Sequence, residues 1–320
     1  MEKENRPLVA IGVPVYNGEK FIIDALESIK NQTYTHFECH IVNNASTDRT
    51  EELAGEFVGK DPRFVLHTYK EFIDITGNWN RTLKYITEKT KYFQIVAADD
   101  IIFPDYLDSS VQLMENYPGA GLATAFRMVG NYLNGYGLDY TKGNYWNGRE
   151  ILLKHLKNEV NVVGSVTQNL YRVEYLKKLT FYPQVYIPED LHFDVRLALE
   201  MLLISDLAFS FKITSYTRVH NETVTFTMAK KLYTPIHGRE NRLNRFKQYF
   251  PELNRDYTKI RRKYAYVLFL NYIMRNKKCI EWHKKNLKRK IKFSEYAAGI
   301  FWENIVSRSL LLVKRRYFTS

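Results

Sequence analysis

Three polar clusters in this chain have the residue types for chemistry on a charged substrate. In residues 92–107, YFQIVAADDIIFPDYL, an apolar run stops at Asp99 and Asp100 and then resumes. Adjacent carboxylates raise each other's pKa and cost stability unless something positive lies beside them. Read alone, the pair fits two roles. It can be a solvated cap for the helix that follows Pro104, or a divalent cation site, since Mg2+ is commonly held by one or two carboxylates plus substrate phosphates. Nothing local decides between them. The second cluster is Glu189, Asp190 and Asp194 in VYIPEDLHFDVRLALE, and the third is Arg218 with His220 in SYTRVHNETVT.

The elements that must position these groups are legible as alternating runs. LVAIGVPVY (8–16) is almost continuously apolar, as in a strand covered on both faces, and it stops at the turn pair Asn17-Gly18. Phe21, Ile22, Ala25, Leu26 and Ile29 then repeat at helical spacing. FECHIV is a second strand, and Asp48 with Glu51 has the spacing of a capping box for the next helix. RFVLHTY is a third strand; Trp79, Leu83 and Ile86 mark one helix face; YFQIVAA is a fourth strand. Pro104 opens a helix through Leu107, Val111 and Met114, GLATAFRMV is a fifth strand, and 131–147 reads as loop or irregular β. This order predicts an α/β fold with a mostly parallel, doubly wound sheet, whose ligands bind outside the carboxyl ends of the strands. Asn17, Asn43 with Asn44, and Asp99 with Asp100 all fall at such ends.

Several of these motifs, in order, resemble the opening of the family 2 glycosyltransferases, whose nucleotide-binding domain has the Rossmann-like GT-A fold. The resemblance rests on VAIGVPVYNGEKFIIDALESIKNQTYTHFECHIVNNASTDRTEEL, with Pro14, Tyr16, Asn17, Ser28, Gln32 to Tyr34 and Asn44 to Thr50, then on GNWNRTL and AADDIIFPDYL. It implies that Pro14, Tyr16, Asn17, Asn43, Asn44, Asn80, Arg81, Asp99 and Arg218 bind a nucleoside-diphosphate sugar. It also implies that Asp100, with His220, holds Mn2+ or Mg2+ on the diphosphate. Two positions depart from the family's pattern. Ala97 stands where relatives often carry a further aspartate, and Asn43 replaces an aspartate that contacts the pyrimidine. An asparagine still presents both a carbonyl and an amide to the shared edge of uracil and thymine, so the residue leaves the base open; UDP is the expected donor nucleotide, with dTDP the alternative.

Sugar transfer with inversion needs a hydroxyl nucleophile, a base for its proton and stabilisation of the departing diphosphate. The acidic cluster at 189–194 can supply the base, and each of its members can instead serve a helix start. It resembles the family's acidic motif ahead of an arginine-containing helix. The spacing from Asp190 to Arg196 fits that motif better than the spacing from Asp194, so the resemblance implies Asp190 as general base, with Glu189 second, and Asp194 as a helix residue. Between the clusters, Gly164 and Ser165 resemble in position the acceptor-side wall, and Tyr145 and Trp146 are either sugar-stacking or core aromatics.

Charge is divided unevenly along the 320 residues. From Lys230 onward there are 24 Lys and Arg against 6 Asp and Glu, leaving 23 against 29 in the rest. This suggests a catalytic domain over 1–229 and a basic, mainly helical region over 230–320. The interleaved KIRRKYAYVLFLNYIMRNKKCIEWHKKNLKRKIKF could suit a nucleic acid, but no recognised nucleic-acid motif accompanies it. An anionic membrane surface is the favoured partner, with YAAGIFWENIVSRSLLLVKRRYF lying on the bilayer. No apolar run is long enough to cross one and the start does not match a secretory signal, so the expected place is the cytoplasmic face of the membrane, with a glycan or glycolipid acceptor. Cys39 and Cys279 lack metal-site spacing and read as reduced thiols. No G-x-G-x-x-G follows the first strand, which disfavours a dinucleotide oxidoreductase. A sugar-nucleotide or glycan-binding protein that has lost its chemistry is the remaining alternative class.

Overall fold

The computed structural model of the chain describes residues 6–180, 193–220 and 234–261. The chain divides into two compact units, Met1–Val219 and His220–Ser320. In the first, β1 (Leu8–Val15), β2 (Phe37–Asn44), β3 (Phe64–Tyr69) and β4 (Thr90–Ile95) pair in parallel in the order β3-β2-β1-β4. Seven of the eight residues of β1 are buried, as its unbroken apolar run requires of a strand covered on both faces. The short β9 (Leu170–Arg172) follows β4 and is antiparallel to it and to β6 (Ala120–Val129). Beyond β6 comes β10 (Asp206–Thr217), parallel to β6, and then β5 (Ile101–Ile102), antiparallel to β10. β7 (Tyr132–Asn134) pairs with β6, and β8 (Tyr145–Trp146) with β10. The sheet is therefore mixed. The expected parallel order holds in its first half and for β6 with β10, while β9 inserts an antiparallel strand that no local pattern announces.

Helices α1 (Ile22–Lys30), α2 (Thr50–Val58), α3 (Ile75–Thr82), α4 (Tyr106–Asn116), α5 (Gly148–Lys157), α6 (Val173–Leu176) and α7 (Phe193–Ile204) complete the first unit. Ile22, Leu26 and Ile29 of α1, Ala54 and Phe57 of α2, and Leu107, Val111 and Met114 of α4 are buried together with the inner faces of β1, β2 and β4. Gly12 permits the approach of α3, because a Cβ there would stand 2.5 Å from that of Thr82. The second unit contains a helix over Thr234–Phe246 and another over 253–261; the rest of the expected basic region, with Cys279, lies outside the described residues.

Three expectations are corrected. The helix expected from Trp79 to Ile86 ends at Thr82 and continues as a 3-10 turn, Leu83–Tyr85. Asn43 and Asn44 are the last residues of β2 rather than loop. The capping box at Asp48 and Glu51 does not form: α2 starts at Thr50, whose N–H donates to Asp48 Oδ1 at 3.0 Å, while Arg49 N–H donates to Glu19 Oε2 at 3.0 Å. A carboxylate from the first loop takes the place that Glu51 was expected to fill. Cys39 is buried in β2, where desolvation pushes its thiol pKa well up, in keeping with an inert core residue.

Candidate active site

The carboxyl ends of β1 and β2 are tied together by short polar side chains. Asn17, at a positive φ of 50°, accepts from Thr47 N–H at 2.8 Å, and its own N–H donates to Ser46 Oγ at 2.9 Å. Gly18 N–H donates to Thr50 Oγ1 and Glu19 N–H to Asp48 Oδ2. Tyr16 remains half exposed and packs on Phe72, ring centroids 4.7 Å apart. Pro14 is buried in β1 opposite Val42.

The two asparagines of β2 part company here. Asn44 is fully engaged: its amide donates to Ile73 O, and its oxygen accepts from Ile73 N–H and from Arg81 Nη1 at 2.8 Å. Arg81 also donates to Glu71 O and lies over the Tyr69 ring at 3.8 Å. The pair thus anchors the loop before α3, where Asn80 is half-buried. Asn43 is completely buried; its oxygen accepts from Ser46 N–H at 3.2 Å, and among the described residues its amide nitrogen has no hydrogen-bond partner. A donor, not an acceptor, is therefore the unsatisfied group at this position.

The acidic turn follows β4. Val96 N–H donates to Gly12 O, and Asp100 N–H closes a turn on Ala97 O at 3.0 Å. Ser28 and Gln32 of α1 fix what comes next: Ser28 Oγ accepts from Ile102 N–H, while Gln32 donates to Phe103 O and accepts from Leu107 N–H. The antiparallel register of Ile102 with Ser215 and Ile101 with Tyr216 carries Thr217 alongside Asp100. Asp100 is 3% exposed. Its Oδ2 accepts from Thr167 Oγ1 at 2.7 Å and Thr217 Oγ1 at 3.3 Å, and its Oδ1 accepts from Arg218 N–H at 3.2 Å. Burial, then the neighbouring charge of Asp99, push the Asp100 carboxyl up to about 7, against the pull of these donors and of Arg127. Asp99 is half-buried and its carbonyl accepts from Arg218 Nε at 3.2 Å. Arg218 reaches on to Asp24 Oδ2 at 2.9 Å and covers the Phe21 ring.

The structure thus gathers Asp99, Asp100 and Arg218 into one cluster, with Asn17 in the interlocked loops and Asn44 and Arg81 in a separate lock. Glu189 and Asp190 lie outside the described residues; Asp194 falls within α7, where Arg196 pairs with Glu200 at 3.7 Å. His220 begins the second unit. Tyr145, 39% exposed, donates to Asp206 and stacks on Tyr117, and among the described residues the buried indole N–H of Trp146 has no hydrogen-bond partner. Thr167, Thr217 and Arg127 escaped the sequence reading. The register of β5 against β10 could have found Thr217, but no spacing signals Thr167.

Among the described residues no three His, Cys, Asp or Glu side chains gather as a metal site. The donor set does fit a cation shared with a diphosphate. Among the described residues Asp100 Oδ1 accepts one hydrogen bond, and its carboxyl, pushed up first by burial and then by the charge of Asp99, is a group whose charged form a cation would stabilise.

An α/β sheet with an acidic turn at its carboxyl edge is the GT-A nucleotide-binding class of fold, and solved structures agree. The Staphylococcus aureus TarS fragment 1–349 in complex with UDP-GlcNAc superposes with a TM-score of 0.55 at 18% identity, over 91% of this chain and 78% of that one. The mannosyltransferase PcManGT from Pyrobaculum calidifontis, in complex with GDP-Man and Mn2+, superposes with a TM-score of 0.58 at 15% identity, over 99% and 84%. The profile of glycosyl transferase family 2 matches residues 10–180, more than half of the chain, and the chain belongs to that family. The uncharacterized glycosyltransferase RP339 of Rickettsia prowazekii is 32% identical over 108 residues, 34% of this chain and 32% of its own length. The chain spans about a third of the length of such curated relatives.

Proposed function

We propose that the chain is an inverting glycosyltransferase that moves a sugar from a nucleoside-diphosphate donor to a hydroxyl of a glycan acceptor. The observation that carries this reading is the stapled acidic turn: Asp99 and Asp100 at the carboxyl end of β4, with Arg218 against both. The ligands of the two fold relatives, UDP-GlcNAc in one and GDP-Man with Mn2+ in the other, support a sugar nucleotide and a divalent cation. UDP is the preferred nucleotide and dTDP the alternative. When bound, the cation would be held by Asp100, with Asp99 beside it, and would neutralise charge on the diphosphate. Arg218 adds positive charge next to the same turn, and its planar fork suits phosphate oxygens once released from Asp24. Asp190, with Glu189 as second choice, takes the proton from the acceptor hydroxyl as that oxygen attacks the anomeric carbon and the bond to the diphosphate breaks.

The test is a screen of UDP-, GDP- and dTDP-sugars for nucleotide release that depends on Mn2+ or Mg2+. Asp190→Asn should abolish transfer while donor binding persists, and Asp100→Asn should remove the metal-dependent part of donor binding. Turnover unchanged in Asp190→Asn would sink the assigned base. Nucleotide binding with neither transfer nor hydrolysis would favour a non-catalytic binding protein instead.

A further inference from the structure

The two oxygens of Asp100 are not equivalent, and the difference is built by threonines that no motif marks. Thr167 Oγ1 accepts from Ala97 N–H at 3.2 Å, so its own hydrogen is left to donate to Asp100 Oδ2 at 2.7 Å. Thr217 repeats the construction. Its Oγ1 accepts from Arg127 Nη1 at 3.2 Å, and a guanidinium can only donate, so the hydroxyl hydrogen is turned toward the same Oδ2 at 3.3 Å. Oδ1 receives one backbone N–H, from Arg218.

Arg127 is itself held for this task. It stands in β6 beside Ser215 of β10, and its Nε donates to Asn134 Oδ1 of β7 at 3.4 Å. Its guanidinium lies across Gly164, where a Cβ would come within 2.9 Å of Nη2. The backbone of Gly164 is thus placed for a close approach by Arg127, which gives that glycine a local reason.

Resting on the donor-site reading above, we propose that Arg127 and Thr217 are positioning residues: together with Thr167 they commit Oδ2 of Asp100 to the protein and reserve Oδ1 for the cation that accompanies the donor diphosphate. Neither residue touches the donor; both act through the carboxylate. Loss of the relay frees the carboxylate to rotate and to share both oxygens with the threonines, at the expense of the cation.

The experiment measures Mn2+ affinity of the full chain with saturating UDP, and separately with GDP, by calorimetry and by the Mn2+ paramagnetic resonance signal. Metal-free nucleotide binding is recorded in parallel. Thr217→Val should weaken Mn2+ binding about tenfold, the scale of one hydrogen bond to a charged group, and leave metal-free binding unchanged. Thr217→Ser, which keeps the hydroxyl, should stay within about twofold of wild type on the same scale. Arg127→Met should match Thr217→Val, with Arg127→Lys partly restoring affinity. The double variant Arg127→Met/Thr217→Val should be no worse than either single one, because both break one relay. A general loss of folding would lower metal-free binding as well and would separate Ser from Val at 217 no better than chance. Mn2+ binding intact in Thr217→Val, or additive losses in the double variant, overturns the inference alone. A wild-type nucleotide affinity that Mn2+ does not raise, and that Asp100→Asn leaves unaltered, overturns the donor-site reading and the inference with it.

Discussion

At the scale of residues, short polar side chains and a histidine pair set the behaviour of the β1–β3 half of the sheet. His40 and His67, on neighbouring strands β2 and β3, approach to 3.1 Å between ring nitrogens, and the Tyr85 ring stacks on His67 at 3.8 Å. Burial, and then the charge of His67, hold His40 down to about 4, and burial lowers His67 too. Both rings are therefore neutral in the folded chain at neutral pH, whereas the unfolded chain protonates them near 6.5. The unfolded state binds more protons between those values, so this contribution to stability is complete above about pH 6.5 and is lost as pH falls toward about 4, where it levels off. Discounted for partial solvent screening, the His40 share is on the order of 2 kcal/mol. Urea midpoints measured at pH 7.5 and 4.5 should fall less for His40→Gln than for wild type; equal losses would remove the histidine explanation. The residue types at the candidate site were legible in the sequence, but not their partners. Asn44 and Arg81 look like ligand residues in a motif, yet their hydrogen bonds go to Ile73 and Glu71, which only the folded loop brings near.

At the scale of elements, strand order and register decide what reaches Asp100. The strands and helices β1, β2, β4, α1 and α4 were readable because each buries one face or both, whereas β3 buries only Phe64 and was readable from its β-branched and aromatic residues. β9 and β5, with three and two residues, are too short to show a period; they are among the antiparallel strands that make the sheet mixed, and β5 sets the register of β10 beside the acidic turn. β9 also delivers Arg172 to the end of α4. The buried guanidinium donates to Met114 O at 2.6 Å, to Tyr117 O, to Ala120 O at 2.9 Å and to Tyr92 OH, so it satisfies carbonyls that α4 leaves open at its C-terminus and complements the helix dipole there. Arg172→Met keeps much of the volume but takes the side-chain donor from Met114 O and Ala120 O, while Tyr117 O keeps the N–H of Ala120. The expected cost is about 3 kcal/mol, with Arg172→Lys intermediate because one ammonium cannot span all four acceptors. Chemical denaturation monitored by tryptophan fluorescence checks it; a shift under about 0.5 kcal/mol would mean that α4 closes without this residue.

At the scale of the whole molecule, the dominant feature is the separation of charge along the chain. The surplus of Lys and Arg after residue 230 stands against a net acidic remainder, and no helix among the described residues is long and apolar enough to cross a membrane. We propose that the basic region binds an anionic bilayer surface and brings the sugar-transfer site to a lipid-linked acceptor. The physical reason is that basic residues near such a surface contribute about 1 kcal/mol each, and that this attraction fades within a Debye length. Lys288, Arg289 and Lys290 form one dense basic run. Replacing all three by Gln in the full chain should therefore weaken binding to vesicles of mixed neutral and anionic phospholipid by roughly 100-fold, about 3 kcal/mol if the three act together. Wild-type binding should fall as salt rises from about 50 to 500 mM, because the Debye length shrinks several-fold over that range, and should vanish on purely neutral vesicles at every salt concentration. Turnover on a soluble acceptor should be the same in both proteins, and only transfer to a vesicle-borne acceptor should separate them. Vesicle binding that is indifferent to both salt and the triple substitution would rule out electrostatic attachment and leave the basic region as part of the fold.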